Sequence, residues 1–160
     1  MTDETQPSET LAYKRARFGT RLPKDRFYTR SHYWLREVEP AIWRVGLTKF
    51  ATRMLGDVVE CQFEVGPGSR LELGRKIGWI EGFKAVSDIY AVAEGDFGGS
   101  NAALAQDITL IESDPYGRGW LYQASGRPEP DSVDALGYAT ILDATIDKML
   151  ASRHDTEGHG

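Results

Sequence analysis

Residues 79–90 read Trp-Ile-Glu-Gly-Phe-Lys-Ala-Val-Ser-Asp-Ile-Tyr, and they are the most informative stretch of the chain. Residues 76–82 alternate in the period of two that predicts a β-strand, and residues 88–92 predict a second one. Lys84 then lies near the tip of a hairpin. There its amine can be acylated, and the acyl group can reach the active site of another protein. The alternative is an ordinary solvated lysine in a turn.

Short strand-like segments with glycine-containing breaks run from about residue 27 to residue 122. Residues 41–47 and 57–65 show the alternation of half-buried strands, and between them residues 48–55 predict a helix. Thr48 is its expected N-cap, and Gly56 its end. Beyond Pro128 and Pro130, residues 132–136 and 139–150 predict helices. This pattern favours a mainly β fold, either a sandwich or a barrel, over βαβ units.

The length of 160 residues suits one domain, and the two ends of the chain differ from its middle. Residues 1–26 contain two prolines, several basic residues and little apolar periodicity, which predicts a flexible basic extension. The predicted domain spans residues 27–150. Residues 151–160 are expected to form a flexible tail.

The net charge of −5 hides an uneven distribution. Residues 1–30 carry seven Lys or Arg and four Asp or Glu, which leaves the remainder at −8. An acidic body argues against a general nucleic-acid binder and favours partners with positive surfaces. No apolar run approaches the roughly 20 residues of a membrane span, and the start lacks the apolar stretch of a secretory signal. We therefore expect no membrane association and a cytoplasmic protein. A monomer is a separate expectation.

Cysteine and histidine are scarce. The single cysteine, Cys61, excludes an internal disulfide, and with three histidines a metal site is not expected. Cys61 falls on the apolar face of the strand predicted over residues 57–65, which favours a small buried hydrophobe. An enzyme with Cys61 as nucleophile and His32 as base remains an alternative, although no orienting third residue or oxyanion donor is apparent.

The segment around Lys84 resembles the glycine cleavage system H protein family, lipoyl carriers whose signature reads Glu-Ser-Val-Lys-Ala-Val/Thr-Ser-Asp. Glu81 and residues 84–88 match this signature. The resemblance covers about residues 27–150 in one collinear order. It continues through Ser31-His32-x-Trp34-Leu35, Val45-Gly46-Leu47-Thr48, Leu55-Gly56-Asp57-Val58-Val59, Ala91, Gly95, Asn101 and Asp114-Pro115-Tyr116-Gly117-x-Gly119-Trp120-Leu121.

The resemblance implies a flattened β-sandwich of the lipoyl/biotinyl type with short helices and a C-terminal helix. It also implies a non-catalytic carrier with lipoate in amide linkage to Lys84, where the cofactor supplies the chemistry. Glu81 would help a lipoate-attaching enzyme recognise the hairpin, or it is simply a solvent-facing strand charge. Biotin is the nearest competing cofactor. Biotin carriers typically place Met on both sides of the lysine, whereas Phe83 and Ala85 lie there in this chain.

Three departures from the family pattern bear on the pathway. Tyr33 stands where the family has the Glu of a His-Glu-Trp motif, a carboxylate of the cleft that holds the aminomethylated arm. Gly82-Phe83 replaces Ser-Val before the lysine, and Ala91-Val92 replaces Ala-Pro. Ser31 and Asp88, which the family also associates with that cleft, are retained.

These departures resemble the H-protein-like lipoate-binding proteins of the heterodisulfide-reductase-like sulfur oxidation pathway. That likeness implies an arm that carries sulfur intermediates, sheltered by Tyr33 and Phe83. Its partners would be a heterodisulfide-reductase-like complex or other thiol/disulfide enzymes, besides the lipoate-attaching enzyme. The first alternative is the H protein of glycine cleavage, which carries the aminomethyl group. The second is an interaction module that has lost lipoylation.

Overall fold

A computed structural model describes the backbone of residues 9–158 and the side chains of residues 9–153. Within this range strands dominate. The strands are β1 (Thr10–Arg15), β2 (Phe18–Pro23), β3 (Phe27–Tyr28), β4 (Tyr33–Glu39), β5 (Ile42–Leu47), β6 (Val58–Phe63), β7 (Arg70–Leu71), β8 (Lys76–Gly82), β9 (Val86–Tyr90), β10 (Ala93–Ser100) and β11 (Tyr122–Pro128). The helices are α1 (Lys49–Leu55), α2 (Ala103–Gln106), α3 (Leu110–Ser113) and α4 (Ala135–Gly158).

Two antiparallel sheets form the body of the protein. The larger has the order β3-β4-β5-β11-β10-β7, and the smaller has the order β6-β8-β9. Ile77, Ile80 and Ile89 of the small sheet share one buried core with Val45 and Phe97 of the large sheet. The prediction of a mainly β, flattened sandwich with a C-terminal helix is confirmed, and the sheets do not close into a barrel.

Helix α1 connects the large sheet to the small one and lies where the sequence predicts it. The Thr48 hydroxyl accepts a hydrogen bond of 3.3 Å from the Ala51 amide, which satisfies one of the free donors of the first turn. Gly56 ends the helix at φ +76°, a conformation that favours glycine. Its amide donates to the carbonyl oxygen of Thr52 at 3.0 Å.

Strand β6 differs in one detail from its predicted alternation. Cys61, Phe63 and Val65 pack against the core as expected, but Val59 is exposed and Val58 is buried instead. The register between β6 and β8 shifts between Val58 and Glu60. Such a bulge inserts one extra residue and reverses which side chains face inward, so a strict period of two fails there.

The prediction of a flexible extension over residues 1–26 is wrong for residues 10–23. These residues form the hairpin β1–β2, which packs on α4. The Tyr13 hydroxyl donates to the Asp143 carboxylate at 2.8 Å, and Arg15 forms two hydrogen bonds of 2.8 and 2.9 Å with Asp147. Residues 1–8 lie outside the described part of the chain.

The hairpin also completes a second core beside α4. Phe18 and Leu22 are buried there against Tyr28 and Tyr138, whose rings stack with centroids 4.9 Å apart. This burial explains the order of the hairpin, because it removes apolar side chains from water. The folded unit therefore begins well before residue 27.

Helix α4 is longer than the sequence predicts. The two predicted helices, 132–136 and 139–150, are one continuous helix that starts at Ala135 and includes Gly137. It continues to Gly158, so the prediction of a flexible tail is wrong over residues 151–158, and residues 159–160 lie outside the described range. No helix within residues 9–158 combines the length and apolar composition that crossing a membrane requires.

Candidate functional site

Lys84 lies at the tip of the β8–β9 hairpin, as predicted. Glu81 and Val86 are the last paired residues of the ladder, and the Gly82 amide donates to the carbonyl oxygen of Ala85 at 2.9 Å. Phe83 and Lys84 remain as the two tip residues, and both side chains are exposed. The lysine amine is therefore accessible from solvent.

The backbone of this tip is bonded to the rest of the protein. The Phe83 amide donates to the carbonyl oxygen of Asp57 at 3.0 Å, and the Lys84 amide donates to that of Leu55 at 2.9 Å. The Leu55 carbonyl is one of those that the end of a helix leaves without an intrahelical partner, and Asp57 follows just after α1. The Lys84 backbone is thus fixed, while its side chain is exposed.

Two glycines permit this close approach. A Cβ on Gly56 would lie 2.9 Å from Lys84 Cγ, and a Cβ on Gly82 would collide with the carbonyl oxygen of Leu55. Position 82 is one at which the family signature has Ser. In this chain a serine there requires the end of α1 to move, so the tight contact between tip and helix explains the glycine.

A cavity of about 330 Å³ lies beside the hairpin, between α1, the start of β4 and strand β9. This volume falls within the range of small-molecule pockets. Apolar side chains form most of its wall, and hydroxyl, imidazole and carboxylate groups interrupt them. The lining residues are Ser31, His32, Tyr33, Leu47, Phe50, Ala51, Met54, Leu55, Ile80, Ala85, Val86, Ser87 and Asp88.

The structure brings three of the predicted supporting residues together in this cavity, namely Ser31, Tyr33 and Asp88. Phe83 lies beside Lys84 but outside the lining, with 80% of its surface exposed. It therefore does not contribute to the wall of the cavity. Glu81 is half-buried at the end of β8 and is also outside the lining.

Sequence reasoning missed the wall that α1 contributes. Phe50, Ala51, Met54 and Leu55 all line the cavity. Phe50 and Leu55 are buried, whereas Met54 is 45% exposed at the edge of the cavity. The sequence offered one signal for this wall: the predicted helix over residues 48–55 follows the predicted cleft residue Tyr33 closely along the chain.

Tyr33 introduces no charge into the cavity. Its hydroxyl accepts a hydrogen bond of 3.1 Å from the Tyr90 amide, which ties β4 to β9. Burial raises the pKa of Tyr33 to about 12, because the anion would lose its hydration. The side chain is thus a neutral phenol at the position where the family signature has a carboxylate.

Asp88 retains a carboxylate in the same cavity. Its Oδ2 accepts a hydrogen bond of 3.3 Å from the Tyr90 hydroxyl, and Lys76 Nζ lies 3.4 Å from its Oδ1. These partners hold the side chain at the cavity wall. The cavity therefore still contains one carboxylate that a cationic ligand could contact, although Lys76 shares its charge.

The alternative of a Cys61–His32 enzyme finds no support in the geometry. Cys61 lies opposite Ile80 in the β6–β8 ladder and does not line the cavity. Burial raises its pKa to about 12, so the thiol stays protonated at neutral pH. His32 shares a hydrogen bond of 2.8 Å through Nδ1 with the Tyr138 hydroxyl, which in turn bonds to Thr48.

The buried imidazole of His32 should make the free energy of unfolding depend on pH. Burial lowers its pKa from 6.5 to about 4, so between these pH values the unfolded chain binds a proton that the folded chain does not. Stability should therefore fall as the pH is lowered from about 6.5 to about 4. Urea unfolding at a series of pH values measures this slope.

The matched variant is His32→Asn, which removes the titrating imidazole and tolerates the φ of +71° at this position. We expect its stability to depend less on pH across the same window. Identical slopes for the wild type and the variant would contradict the assignment.

Comparison with known proteins identifies the family. The family model described as glycine cleavage H-protein matches residues 26–147. The glycine cleavage system H protein of Mycobacterium leprae (strain TN) is 42% identical over 126 residues, which span 77% of this chain and 91% of the relative. That of Thermus thermophilus is 39% identical over 128 residues, 77% of this chain and 97% of the relative.

A crystal structure of the glycine cleavage system H protein from Mycobacterium marinum superposes with a TM-score of 0.68 at 35% identity, covering 74% of this chain and 97% of the other. These likenesses do not support the closer resemblance to the sulfur oxidation proteins. Glycine cleavage H proteins carry lipoate covalently attached to a lysine. From residue 26 to residue 147, in sequence and in fold, the chain belongs to the glycine cleavage H protein family.

Proposed function

We propose that this protein is a non-catalytic lipoyl carrier of glycine cleavage, with the lipoyl group in amide linkage to Lys84. One observation carries the proposal. An exposed lysine projects from a hairpin tip whose backbone is fixed on α1, beside a largely apolar cavity. Membership in a family named for glycine cleavage supports the pathway.

The residues present fit the cofactor. The exposed Lys84 amine is accessible to a lipoate-attaching enzyme, and acylation removes its charge. The apolar wall formed by Leu47, Phe50 and Ile80 suits a hydrocarbon arm. When bound, lipoate supplies a disulfide/dithiol pair that accepts and releases a transferred group. The chain itself positions the arm and shelters its end from water.

The cavity also suits the aminomethyl cargo. That group carries a cationic amine, and Asp88 presents a carboxylate at the cavity wall. The hydroxyls of Ser31 and Ser87 add neutral hydrogen-bonding groups. The Asp88 carboxylate therefore offsets in part the loss of the family carboxylate at position 33. A cavity that keeps one carboxylate favours the cationic cargo of glycine cleavage.

Sulfur transfer is the second candidate, and one observation favours it. Tyr33 is a buried, neutral phenol where a cationic cargo would benefit from a carboxylate. A dihydrolipoyl thiolate can attack a disulfide or persulfide, and a sulfur-bearing arm needs no fixed anion. In this reading Asp88 contributes little to cargo binding.

Glycine-dependent release of carbon dioxide distinguishes the two candidates. The lipoylated chain is assayed with glycine decarboxylase and the other glycine cleavage enzymes, in a set shown to turn over with the M. leprae H protein. We expect turnover, and we expect Asp88→Asn to lower it about tenfold, the effect of losing a charge-assisted hydrogen bond of ~1.4 kcal/mol.

Asp96→Asn is the control, since Asp96 is an exposed aspartate on the large sheet that does not line the cavity. Its turnover should match the wild type. A wild-type chain that carries lipoate yet gives no turnover would overturn the glycine assignment, and an unchanged rate for Asp88→Asn would remove the argument from cargo charge.

A further inference from the structure

A second and larger cavity lies on another face of α1. It is a groove of about 850 Å³ between the turn of the β1–β2 hairpin, helix α1 and the last turns of α4. We call it the arginine groove. Its lining residues are Arg15, Ala16, Arg17, Phe18, Phe50, Arg53, Ile146, Met149, Leu150 and Arg153.

The arginine groove is formed largely by segments outside the family match. The match covers residues 26–147, whereas residues 15–18 form one wall and residues 149–153 form another. Without the hairpin and the extended end of α4, only Phe50, Arg53 and Ile146 of the lining would remain. The groove thus depends on residues outside the part of the chain that the family model matches.

Its charge is opposite to that of the protein as a whole. The lining contains four arginines and no acidic residue, in a chain of net charge −5. Arg53 is held over the Phe18 ring, 5.7 Å from its centroid. Arg15 is already paired with Asp143 and Asp147, so its charge is largely offset. The charge complementarity that attracts an anionic partner therefore rests mainly on Arg17 and Arg53.

The floor of the groove is apolar. Phe18, Phe50 and Ile146 are buried at its base, while Met149 and Leu150 are 42% and 46% exposed on α4. Adjacent exposed apolar side chains of this size, bordered by fixed charges, are typical of a surface that a partner covers. A purely electrostatic anion site would need no such floor.

The groove is also close to the lipoyl cavity. Phe50 lines both, so only α1 separates them. A segment bound in the groove therefore holds its protein beside the arm. Such a contact adds affinity without occupying the cavity that shelters the end of the arm.

We propose that the arginine groove docks an acidic, amphipathic segment of a partner enzyme, with carboxylates on Arg17 and Arg53 and apolar side chains on Met149 and Leu150. The identity of that enzyme rests on the proposed function, whereas the chemistry of the occupant rests on the groove alone. A negatively charged membrane surface is the competing occupant.

The first experiment tests the groove without any enzyme. The probe is a fluorescent helical peptide of about 14 residues, roughly four turns, with Glu on one face and Leu and Phe on the other. We expect the full chain to bind it, and Arg17→Glu combined with Arg53→Glu to weaken binding at least tenfold. Added salt should weaken wild-type binding and have little effect on the variant.

The matched control is Arg70→Glu combined with Arg127→Glu, the same charge change on β7 and β11, outside both cavities. It should retain most of the affinity, which separates the groove from the effect of net charge. Equal weakening by both double variants, or no peptide binding, would overturn the proposal. Groove-dependent sedimentation with phosphatidylglycerol vesicles, without peptide binding, would assign the groove to a membrane instead.

The second experiment places the groove in the reaction. In the glycine decarboxylase assay, Arg17→Glu with Arg53→Glu should raise the KM for the carrier about tenfold and leave kcat unchanged. Unlipoylated Lys84→Arg chain should compete with the carrier, and should cease to compete when the groove substitutions are added. Peptide binding without decarboxylase turnover would reject the proposed pathway but not the groove. Turnover with an unchanged KM would reject docking of this enzyme there.

Discussion

Lys84→Arg is expected to abolish the lipoyl mass addition while leaving the thermal unfolding of the protein unchanged. Arginine keeps the positive charge and most of the length of the side chain, but its guanidinium does not form the amide that lysine forms. The side chain is exposed, so the fold does not depend on it. Intact-mass measurement of chain produced in a lipoate-competent host gives the result directly.

Lys76→Arg is the control, because Lys76 lies on β8 of the same hairpin and contacts Asp88, yet is distant from the tip. Its mass addition should persist. An addition that survives Lys84→Arg would place the modification elsewhere. A wild-type chain without any addition would favour the interaction module that has lost lipoylation.

Leu22→Ala is expected to lower the free energy of unfolding by about 2–5 kcal/mol, the usual cost of emptying a buried leucine site. Leu22 is 0% exposed and packs in the second core beside α4. Each kcal/mol corresponds to a fall in Tm of roughly 2–4 °C for a domain of this size. Denaturant unfolding and thermal melting both measure the change.

Leu136→Ala provides the same chemical change at a site that is 68% exposed, and it should alter stability by no more than about 0.5 kcal/mol. Equally small effects at the two sites would show that the β1–β2 hairpin contributes little to the folded state. A large loss confined to Leu22 would show that the domain includes residues ahead of the family match.

The sequence predicts those parts of the fold whose signals are local. The helix between Thr48 and Gly56 has its cap and stop residues within nine positions, and the β8–β9 hairpin alternates on both sides of Lys84. The β1–β2 hairpin turns through Ala16 and Arg17, which lack the Asn-Gly signature of tight turns. Its stabilising partner, α4, lies more than one hundred residues away.

In the candidate site, too, local signals were predictable and contacts between distant segments were not. Lys84 could be located from its neighbours, and the family signature singles out Ser31, Tyr33 and Asp88 as cavity residues. The wall contributed by α1 depends on how the helix packs across the sandwich, which no local pattern specifies. Glu81 lies outside the cavity, and its part in recognition by a lipoate-attaching enzyme stays a prediction.

The two hydrogen bonds that attach the hairpin tip to Leu55 and Asp57 also determine where a tethered group can travel. A flexible arm on a fixed pivot samples a sphere around one point of the protein. If the pivot itself wandered, the radius of that sphere would grow, and its volume would grow as the cube of the radius. The local concentration of the tethered group at an enzyme docked beside the tip would then fall in proportion. Because Leu55 and Asp57 immobilise one end of the tether, the effective concentration of the tethered group stays high.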